Sequence, residues 1–497
     1  HFYYLSNVRD PKYFDLYKMD IATWKADMLY KNDKGYFVSG LSEDEQYIAL
    51  SQPLTTSSNN LYILDRKNDK LTKVNSDTPA DNSPEQFSKD SKSLFYTTNE
   101  DGEYTYVVKY DLATNQKEKV FETDWDVMYV AQSENEKYRV IGVNEDARNS
   151  IRLFDAKSGK ELSFPKVEGG DIQGVSISRS ENKMRLYIGN AKQPNEIYVY
   201  DFNTKQLKKL TNSLNPEINP NDLVDAEIVR YKSFDGLEIP AVFYKPKDAS
   251  EKNRVPAIVM VHGGPGGQAR VGYRALVQYL VNHGYAILDV NNRGSSGYGK
   301  SFYKMDDKNH GDKDLKDVVW GKRHLTSLTF IDGNKVGIMG GSYGGYMTAA
   351  AMTFHPQEFN VGVNIFGVTN WLRTLRSIPA FWEAQRKALY DELGDPNGED
   401  SVRLYNISPL FHAANIARPF MVLQGSNDPR VLQIESDEIV AAVKKNNVPV
   451  EYIVFPDEGH GFRKKENEIK GYGQILVFLD KYLKGTDPKY QEAKKAF

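Results

Sequence analysis

The first half of the 497-residue chain repeats one pattern of apolar and polar positions every 44 to 46 residues. Short apolar runs end at an aspartate that opens a polar turn, and serines that open a second turn keep the same spacing. A repeat of this length that holds four short strands is typical of a β-propeller blade. The pattern therefore predicts a β-propeller, with a β-sandwich of accidental spacing as the alternative. The turn residues are Asp20, Asp65, Asp111, Asp155 and Asp201, together with Ser42, Ser88, Ser133 and Ser178.

The phase of this repeat predicts where the propeller begins. The segment Phe2 to Tyr4 aligns with Leu94 to Tyr96, which lies in the middle of a blade. Residues 1–215 then hold about four and a half blades, fewer than closed propellers usually have. We expect the N-terminal part of the propeller to be missing from this sequence.

The second half of the chain has a different pattern. Continuous apolar runs alternate with longer mixed segments, which is typical of buried parallel strands connected by helices. The pattern predicts a doubly wound, mostly parallel α/β sheet over residues 224–485. Pro216 and Pro220 stand among asparagines and mark a linker at 216–223, and residues 486–497 form a C-terminal tail. The apolar runs are Ala257–Val261, Ala286–Val290, Val336–Met339, Phe420–Leu423 and Tyr452–Phe455.

One of these runs leads into a serine set between glycines. The sequence Gly340-Gly341-Ser342-Tyr343-Gly344 directly follows the run that ends at Met339. G-x-S-x-G between a strand and a helix is the nucleophile elbow of α/β-hydrolases, in which glycines let the strand and helix approach closely. Ser342 is therefore the candidate nucleophile.

Two further residues complete a candidate catalytic triad. Asp428 follows the run Phe420–Leu423, and His460 follows the run Tyr452–Phe455. The chain order Ser, Asp, His and the position after a strand are those of an α/β-hydrolase. His460 would act as the general base for Ser342, and Asp428 would orient the imidazole. The alternative is a packing serine, a turn aspartate and a surface histidine.

A developing oxyanion needs hydrogen-bond donors. The backbone N–H of Tyr343, the residue after the nucleophile, is the first candidate. The second comes from the glycine-rich segment after Val261, where Gly264 is preferred and Gly263 is the alternate. This segment could otherwise be only a tight turn.

Six motifs together resemble the catalytic domain of the prolyl oligopeptidase family of serine peptidases, in its acylaminoacyl-peptidase and dipeptidyl-peptidase-like bacterial branch. The resemblance covers about half of the chain, from Val224 to Gly485. It implies an α/β-hydrolase domain preceded by a propeller of seven or eight blades. The motifs are GGSYGGY from Gly340, HGGPGG from His262, NNRGSSGYGKSF from Asn291, SPLFHAANI from Ser408, QGSNDPRV from Gln424 and FPDEGHGF from Phe455.

The resemblance also implies a substrate-binding site. Val368, Trp371 and Val431 would line an apolar pocket for the side chain before the scissile bond, and Arg430 would face a substrate carbonyl. The alternative for all four is ordinary packing. In the dipeptidyl peptidase IV branch a tyrosine stands in place of His262, and paired glutamates hold the substrate amine. The sequence identifies no counterpart of these glutamates.

A phosphate-loop pattern, G-x-x-x-x-G-K-[ST], also occurs at Gly294–Ser301 after the run Ala286–Val290. The residues that follow, Phe302 to Asp307, lack the apolar periodicity of a phosphate-loop helix. The family resemblance implies instead a structural loop near the active site, and we predict no nucleotide cofactor.

Composition narrows the possible partners. The net charge is −3, from 64 basic and 67 acidic residues, so electrostatics give no reason to bind nucleic acid. No apolar stretch is long enough to span a bilayer. The chain has no cysteine and no H-E-x-x-H pair, so we predict no metal site and no thiol chemistry. The lack of cysteine favours an exported, for example periplasmic, protein over a cytoplasmic one. A homo-oligomer stays possible.

These observations predict a serine peptidase that hydrolyses short peptides through an acyl-enzyme. It would be an exopeptidase that releases acylated residues or dipeptides, or an oligopeptidase. The propeller favours peptides, because it suits a size filter. The alternatives are an esterase with the same triad, and a propeller-based binding protein with an inactive hydrolase domain.

Overall fold

The structure, a computed structural model, describes residues 1–165 and 170–485. The tail predicted at 486–497 lies outside these residues. Within these residues, five small antiparallel sheets are followed by one sheet of eight strands. The predicted fold class, a β-propeller before an α/β-hydrolase domain, is confirmed. The domain limits given above stay predictions.

The propeller part contains, within the described residues, one sheet of three strands and four sheets of four strands. Strands that are neighbours in the sequence pair with each other in every sheet. The strands are β1 (Phe2–Ser6), β2 (Asp15–Met19), β3 (Ala26–Tyr30), β4 (Phe37–Leu41), β5 (Tyr47–Thr55), β6 (Ser58–Asp65), β7 (Lys70–Lys73), β8 (Asn82–Phe87), β9 (Ser93–Thr98), β10 (Tyr106–Asp111), β11 (Lys117–Phe121), β12 (Asp126–Gln132), β13 (Tyr138–Glu145), β14 (Arg148–Asp155), β15 (Glu161–Leu162), β16 (Asp171–Ile177), β17 (Lys183–Gly189), β18 (Glu196–Asp201) and β19 (Leu207–Lys209).

The repeated aspartates close the turns at the ends of strands. The backbone N–H groups of Ala113 and Thr114 donate to Asp111 Oδ1 over 3.0 and 2.8 Å. The corresponding amides of Ser158 and Thr204 donate to Asp155 and Asp201. An aspartate that accepts from the amides two or three residues later stabilises a tight turn. The period read from the sequence therefore has a local cause in each blade.

Each sheet of the propeller buries its apolar face against its neighbour. Leu61 and Ile63 of the second sheet pack with Phe87 and Tyr96 of the third. Similar clusters join the third sheet to the fourth and the fourth to the fifth. Blades that bury their faces only against neighbours form a stack whose stability depends on each interface.

The hydrolase domain is built on the eight-stranded sheet. Its strand order is β20-β21-β23-β22-β24-β25-β26-β27. The pairs β20/β21 and β21/β23 are antiparallel, and all later pairs are parallel. The strands are β20 (Glu227–Lys232), β21 (Glu238–Tyr244), β22 (Val255–Val261), β23 (Ala286–Val290), β24 (Ile331–Gly341), β25 (Gly362–Ile365), β26 (Phe420–Gly425) and β27 (Val450–Phe455).

Helices cover both faces of this sheet. Alternate residues of β22 point to opposite sides, with Val259 in one buried cluster and Ile258 in the other. The first cluster includes residues of α3, α4 and α8, and the second includes residues of α1 and α9. The helices are α1 (Ala275–Asn282), α2 (Lys300–Tyr303), α3 (Lys313–Ser327), α4 (Tyr343–Phe354), α5 (Trp371–Arg376), α6 (Arg386–Leu393), α7 (Ser401–Asn406), α8 (Gln433–Lys444) and α9 (Lys465–Leu479), with short 3-10 turns at Pro220–Asp222, Lys304–Asp306, Ala380–Gln385 and Pro409–Asn415 and a π turn at Asp480–Lys484.

The loop with the phosphate-loop pattern contacts the propeller. Lys300 Nζ donates to the carbonyl of Asn99 over 3.0 Å. The backbone N–H and the hydroxyl of Ser301 donate to Glu103 over 2.6 and 2.8 Å. A Cβ at Gly299 would lie 2.5 Å from Glu103 Oε1, so a glycine fits this contact. The groups that would hold a phosphate in a nucleotide-binding protein therefore join the two domains.

Among the helices that the structure describes, none has both the length and the apolar character needed to cross a membrane.

Candidate active site

Ser342 lies in a sharp turn between β24 and α4. Its φ is 57°, in the left-handed region that non-glycine residues seldom adopt. An added Cβ at Gly340 would lie 2.4 Å from the carbonyl oxygen of Gly344, and one at Gly344 would lie 2.0 Å from that of Val261. The two glycines thus allow α4 to start directly against β22 and β24, with Ser342 at the tip of the turn.

The predicted triad residues lie within hydrogen-bond distance of one another. Ser342 Oγ is 2.9 Å from His460 Nε2. His460 Nδ1 is 2.7 Å from Asp428 Oδ2. A carboxylate only accepts hydrogen bonds, which assigns the imidazole proton to Nδ1 and leaves Nε2 to accept from the Ser342 hydroxyl. This is the arrangement in which a histidine can remove a proton from serine.

Backbone amides fix the Asp428 carboxylate. Its second oxygen, Oδ1, accepts from the N–H groups of Arg430 and Val431 over 2.9 and 3.0 Å. Asp457, one of two carboxylates close in sequence to His460, accepts instead from Lys464 and Asn467. Asp428 is therefore the carboxylate that contacts His460.

The loop that carries His460 is closed by the buried side chain of Glu458. Its two carboxylate oxygens accept from the backbone N–H groups of Arg463 and Lys464 over 3.0 and 2.9 Å. The side-chain amide of Asn467 donates to the same carboxylate over 2.9 Å. These bonds hold the chain on both sides of His460 in one conformation. Sequence reasoning did not identify this residue as part of the site.

The candidate oxyanion donors lie on two sides of Ser342. Tyr343 is the first residue of α4, where backbone N–H groups have no partner within the helix. A Cβ at Gly263 would lie 3.3 Å from Ser342 Cβ, so the glycine-rich loop passes directly beside the nucleophile. Gly264 has a φ of 138°, which favours glycine.

His262 holds this glycine-rich loop. Its Nδ1 lies 2.8 Å from the carbonyl oxygen of Gly263, to which it donates because a carbonyl only accepts. Its Nε2 lies 2.7 Å from Ser295 Oγ. In a trans peptide the carbonyl and the next N–H point in opposite directions, so fixing the Gly263 carbonyl also fixes the N–H of Gly264. Burial lowers the pKa of His262, which keeps the imidazole neutral near pH 7.

The side chain of Tyr343 anchors the elbow from behind. The ring is buried, and its hydroxyl donates to Asp314 Oδ2 on α3. Burial raises the pKa of Asp314 to about 6 and raises the pKa of Tyr343 well above its usual value. Asp314 precedes Tyr343 by 29 residues in the sequence, so no local motif indicated this contact.

The four residues expected to bind substrate fall into two groups. Val368, Trp371 and Val431 are buried, and they belong to the same apolar cluster of the hydrolase domain. Arg430 is exposed, and its guanidinium lies 5.0 Å from the ring centre of Trp382. Burial and packing alone do not assign these four residues a role, so the substrate pocket stays a prediction.

The chain segment between Val368 and Trp371 is fixed by Glu435 of α8. Glu435 Oε2 accepts from the backbone N–H groups of Thr369 and Asn370 over 2.9 and 3.0 Å. The side chain is fully buried, and burial raises its pKa. This carboxylate thus fixes the backbone that carries two of the predicted pocket residues, Val368 and Trp371.

Fold and site together define a class of protein. An α/β-hydrolase sheet with a nucleophile elbow, a histidine and an aspartate after its parallel strands is the framework of serine hydrolases. The propeller before the hydrolase domain narrows this class to serine hydrolases that carry an N-terminal β-propeller.

Comparison with known proteins gives the family. The family model described as "Prolyl oligopeptidase family" matches residues 272–486. The model of the prolyl oligopeptidase N-terminal beta-propeller domain matches residues 18–213. A dipeptidyl aminopeptidase BIII from Pseudoxanthomonas mexicana is 31% identical over 493 residues, which cover 96% of this chain and 71% of that protein. The chain therefore belongs to the prolyl oligopeptidase family, and it is a serine-type peptidase.

Other relatives agree in class but match less of their own length. Dipeptidyl peptidase family member 6 from Caenorhabditis elegans is 34% identical over 346 residues, which are 65% of this chain and 46% of that protein. Acylamino-acid-releasing enzyme from Arabidopsis thaliana is 28% identical over 252 residues, 50% of this chain and 33% of that enzyme. Our chain thus spans half or less of these two relatives.

The solved structures support the fold. The structure of a puromycin-hydrolyzing peptidase from Mycobacterium tuberculosis superposes with a TM-score of 0.83 at 20% identity and covers 95% of this chain and 74% of that one. At this identity the likeness concerns the fold alone.

We predict that Gly344→Ala abolishes most of the activity. Its Cβ would lie 2.0 Å from the Val261 carbonyl, so α4 must shift away from β22. Displacing a catalytic group by about 1 Å costs roughly 100-fold in rate. The measurement is kcat/KM on a chromogenic peptide, with the melting temperature recorded in parallel. Gly272→Ala is the control, because an added Cβ there meets nothing within 4 Å. Equal activity of the two variants would contradict the steric account.

Proposed function

We propose that the chain hydrolyses short peptides from their N-terminus, with Ser342 as the nucleophile of an acyl-enzyme. The observation that carries this proposal is the continuous hydrogen-bonded series from Ser342 through His460 to Asp428. Its support from the comparisons is the peptidase class of the family.

In the first step Ser342 Oγ attacks the carbonyl carbon of the scissile bond. His460 Nε2 takes the hydroxyl proton as the new C–O bond forms. The imidazolium that results is stabilised by the Asp428 carboxylate, 2.7 Å from Nδ1. The same proton then passes to the leaving amine, the C–N bond breaks, and the acyl group stays on Ser342.

In the second step a water molecule takes the place of the leaving amine. His460 removes a proton from this water, which attacks the ester carbonyl. The proton returns to Ser342 Oγ as the ester bond breaks. The free enzyme is restored, and the N-terminal product leaves as a carboxylate.

Both steps pass through a tetrahedral oxyanion. We assign its donors to the backbone N–H groups of Tyr343 and Gly264, with Gly263 as the alternate. Their backbone is fixed before substrate binds, by the start of α4 and by the bond from His262 to the Gly263 carbonyl. Donors that need no reorganisation stabilise a transition state most effectively.

The predicted specificity rests on a cavity between the two domains. Its lining includes the propeller carboxylates of Asp81, Glu85 and Asp126, and it reaches Gly266 and Tyr303 of the hydrolase domain. Burial raises the pKa of Glu85 to about 7.

Two cations, Arg270 and Lys300, also line the cavity, but they donate to the Asn149 side chain and to the Asn99 carbonyl. A half-buried carboxylate gains from a cationic partner, so the three carboxylates suit the free amine of a peptide N-terminus. Release of dipeptides is therefore favoured over release of acylated residues.

Ser342→Ala should lower kcat by about 10⁴-fold or more, because the residues of a triad act as one unit. The fold should be retained, since the only hydrogen bond of the serine hydroxyl among the described residues is the one with His460. Steady-state kinetics on a dipeptidyl nitroanilide measure the loss. The control is Ser426→Ala, an exposed serine in the loop before Asp428. Activity of Ser342→Ala near that of the wild type would refute the assignment.

Three peptides of matched sequence test the specificity: one with a free N-terminus, one acetylated, and one extended by several residues. We expect the free peptide to have the highest kcat/KM, by roughly tenfold or more, because the blocked amine leaves a half-buried carboxylate without its partner. Product analysis by mass spectrometry identifies the bond that is cut. Faster cleavage of the acetylated peptide would indicate acyl-residue release, and faster cleavage of the extended one would indicate an endopeptidase; either would contradict the dipeptidyl assignment.

A further inference from the structure

A second cluster of chemically active side chains lies behind the elbow. Asp306, His310 and Glu392 are 2%, 1% and 6% exposed. Asp306 ends the turn after α2, His310 precedes α3, and Glu392 lies in α6. Three separate segments thus bring one imidazole and two carboxylates to a single buried point. The proposed peptidase mechanism uses none of these side chains.

The geometry of this cluster is that of donors around a common centre. His310 Nε2 lies 3.2 Å from Asp306 Oδ2 and 3.3 Å from Glu392 Oε1. The three donor atoms lie within 4.8 Å of one another. Two ligands bound at 2.0 to 2.2 Å by a tetrahedral zinc ion are about 3.4 Å apart. The two distances from the imidazole are therefore close to those of a metal centre.

Well-aligned hydrogen bonds do not account for the cluster. A protonated His310 would form ion pairs with Asp306 and Glu392, and although burial disfavours its charge, the two carboxylates raise its pKa to about 10. Among the described residues, however, neither nitrogen of His310 has a partner in hydrogen-bond geometry, and Asp306 Oδ2 has none either. A buried polar atom without a partner needs an explanation, and a bound ion is one of them. Two carboxylates also carry more negative charge than one imidazolium can compensate.

We propose that Asp306, His310 and Glu392 bind one divalent transition-metal ion, with zinc as the best match. An imidazole nitrogen beside two carboxylates suits zinc and related ions, whereas magnesium and calcium prefer oxygen ligands alone. Metal binding displaces the proton from His310 Nε2 and leaves the cluster close to neutral. The ion thereby gives a partner to Asp306 Oδ2 and to the imidazole of His310.

The position of the cluster indicates a structural role. The ring of His310 lies edge-on to that of Tyr343, with centres 5.7 Å apart. The Tyr343 hydroxyl in turn donates to Asp314. Because the three ligands are buried, an ion between them is closed to substrate and holds α6 and the segment before α3 against the elbow. Metal binding is independent of the peptidase activity proposed above, and either can fail without the other.

The test is a metal assay on the full 497-residue chain. The protein is expressed with zinc in the medium, dialysed, and measured by inductively coupled plasma mass spectrometry. A chelator-treated sample is then titrated with zinc chloride by calorimetry and thermal melting. We expect about one zinc ion per chain and a higher melting temperature with zinc. His310→Asn and Asp306→Asn should weaken zinc binding by about tenfold or more.

His355→Asn is the matched control, because His355 lies in the same domain at the end of α4, outside the cluster. The His355→Asn variant should bind zinc as the wild type does. Substoichiometric metal in the wild type, together with a melting temperature unchanged by zinc, would overturn the proposal and leave a metal-free ion cluster. Equal zinc content in wild type and His310→Asn would overturn it as well. The wild-type measurement decides the question even if a variant fails to fold.

Discussion

The close approach of helix α4 to strands β22 and β24 is the constraint on which the site depends. There is no room for a side chain at Gly340 or Gly344, because each would collide with backbone at 2.4 Å or less. The turn between them forces Ser342 into a left-handed conformation that costs of order 1 kcal/mol or more. Packing of the sheet offsets this cost. The strained turn directs the serine side chain away from its own helix and toward His460.

Buried carboxylates that accept from backbone amides fix the loops around this turn. Asp428, Glu435 and Glu458 each receive two backbone N–H groups. A desolvated carboxylate is costly unless such donors are present, so each loop has one well-defined conformation. The orienting residue, the predicted substrate pocket and the general base are thus held by the same kind of interaction. Rigid supports of this kind keep reacting groups within the tolerance that catalysis needs.

Local patterns in the sequence were enough to predict the two folds and the triad. The aspartate repeat has a local cause in turn geometry, and the triad residues each follow a recognisable apolar run. Strand β25, only four residues long, carries too short a pattern to be identified. The contacts of Tyr343 with Asp314 and of His310 with Glu392 join residues 29 and 82 positions apart, so their meeting depends on tertiary packing. The sequence has no cysteine and no metal-binding motif, so it gave no indication of the buried cluster of Asp306, His310 and Glu392.

The central claim is that the elbow presents Ser342 to a histidine oriented by Asp428. Covalent labelling with a fluorophosphonate tests it most directly, since the reagent reacts with an activated serine. The modified residue is located by mass spectrometry, and the rate is compared between wild type and Asp428→Asn. The account predicts a single adduct on Ser342 and a rate lower by roughly 10³-fold or more in the variant, because asparagine stabilises the wrong tautomer of His460. An adduct on another serine, or equal rates in both proteins, would contradict it.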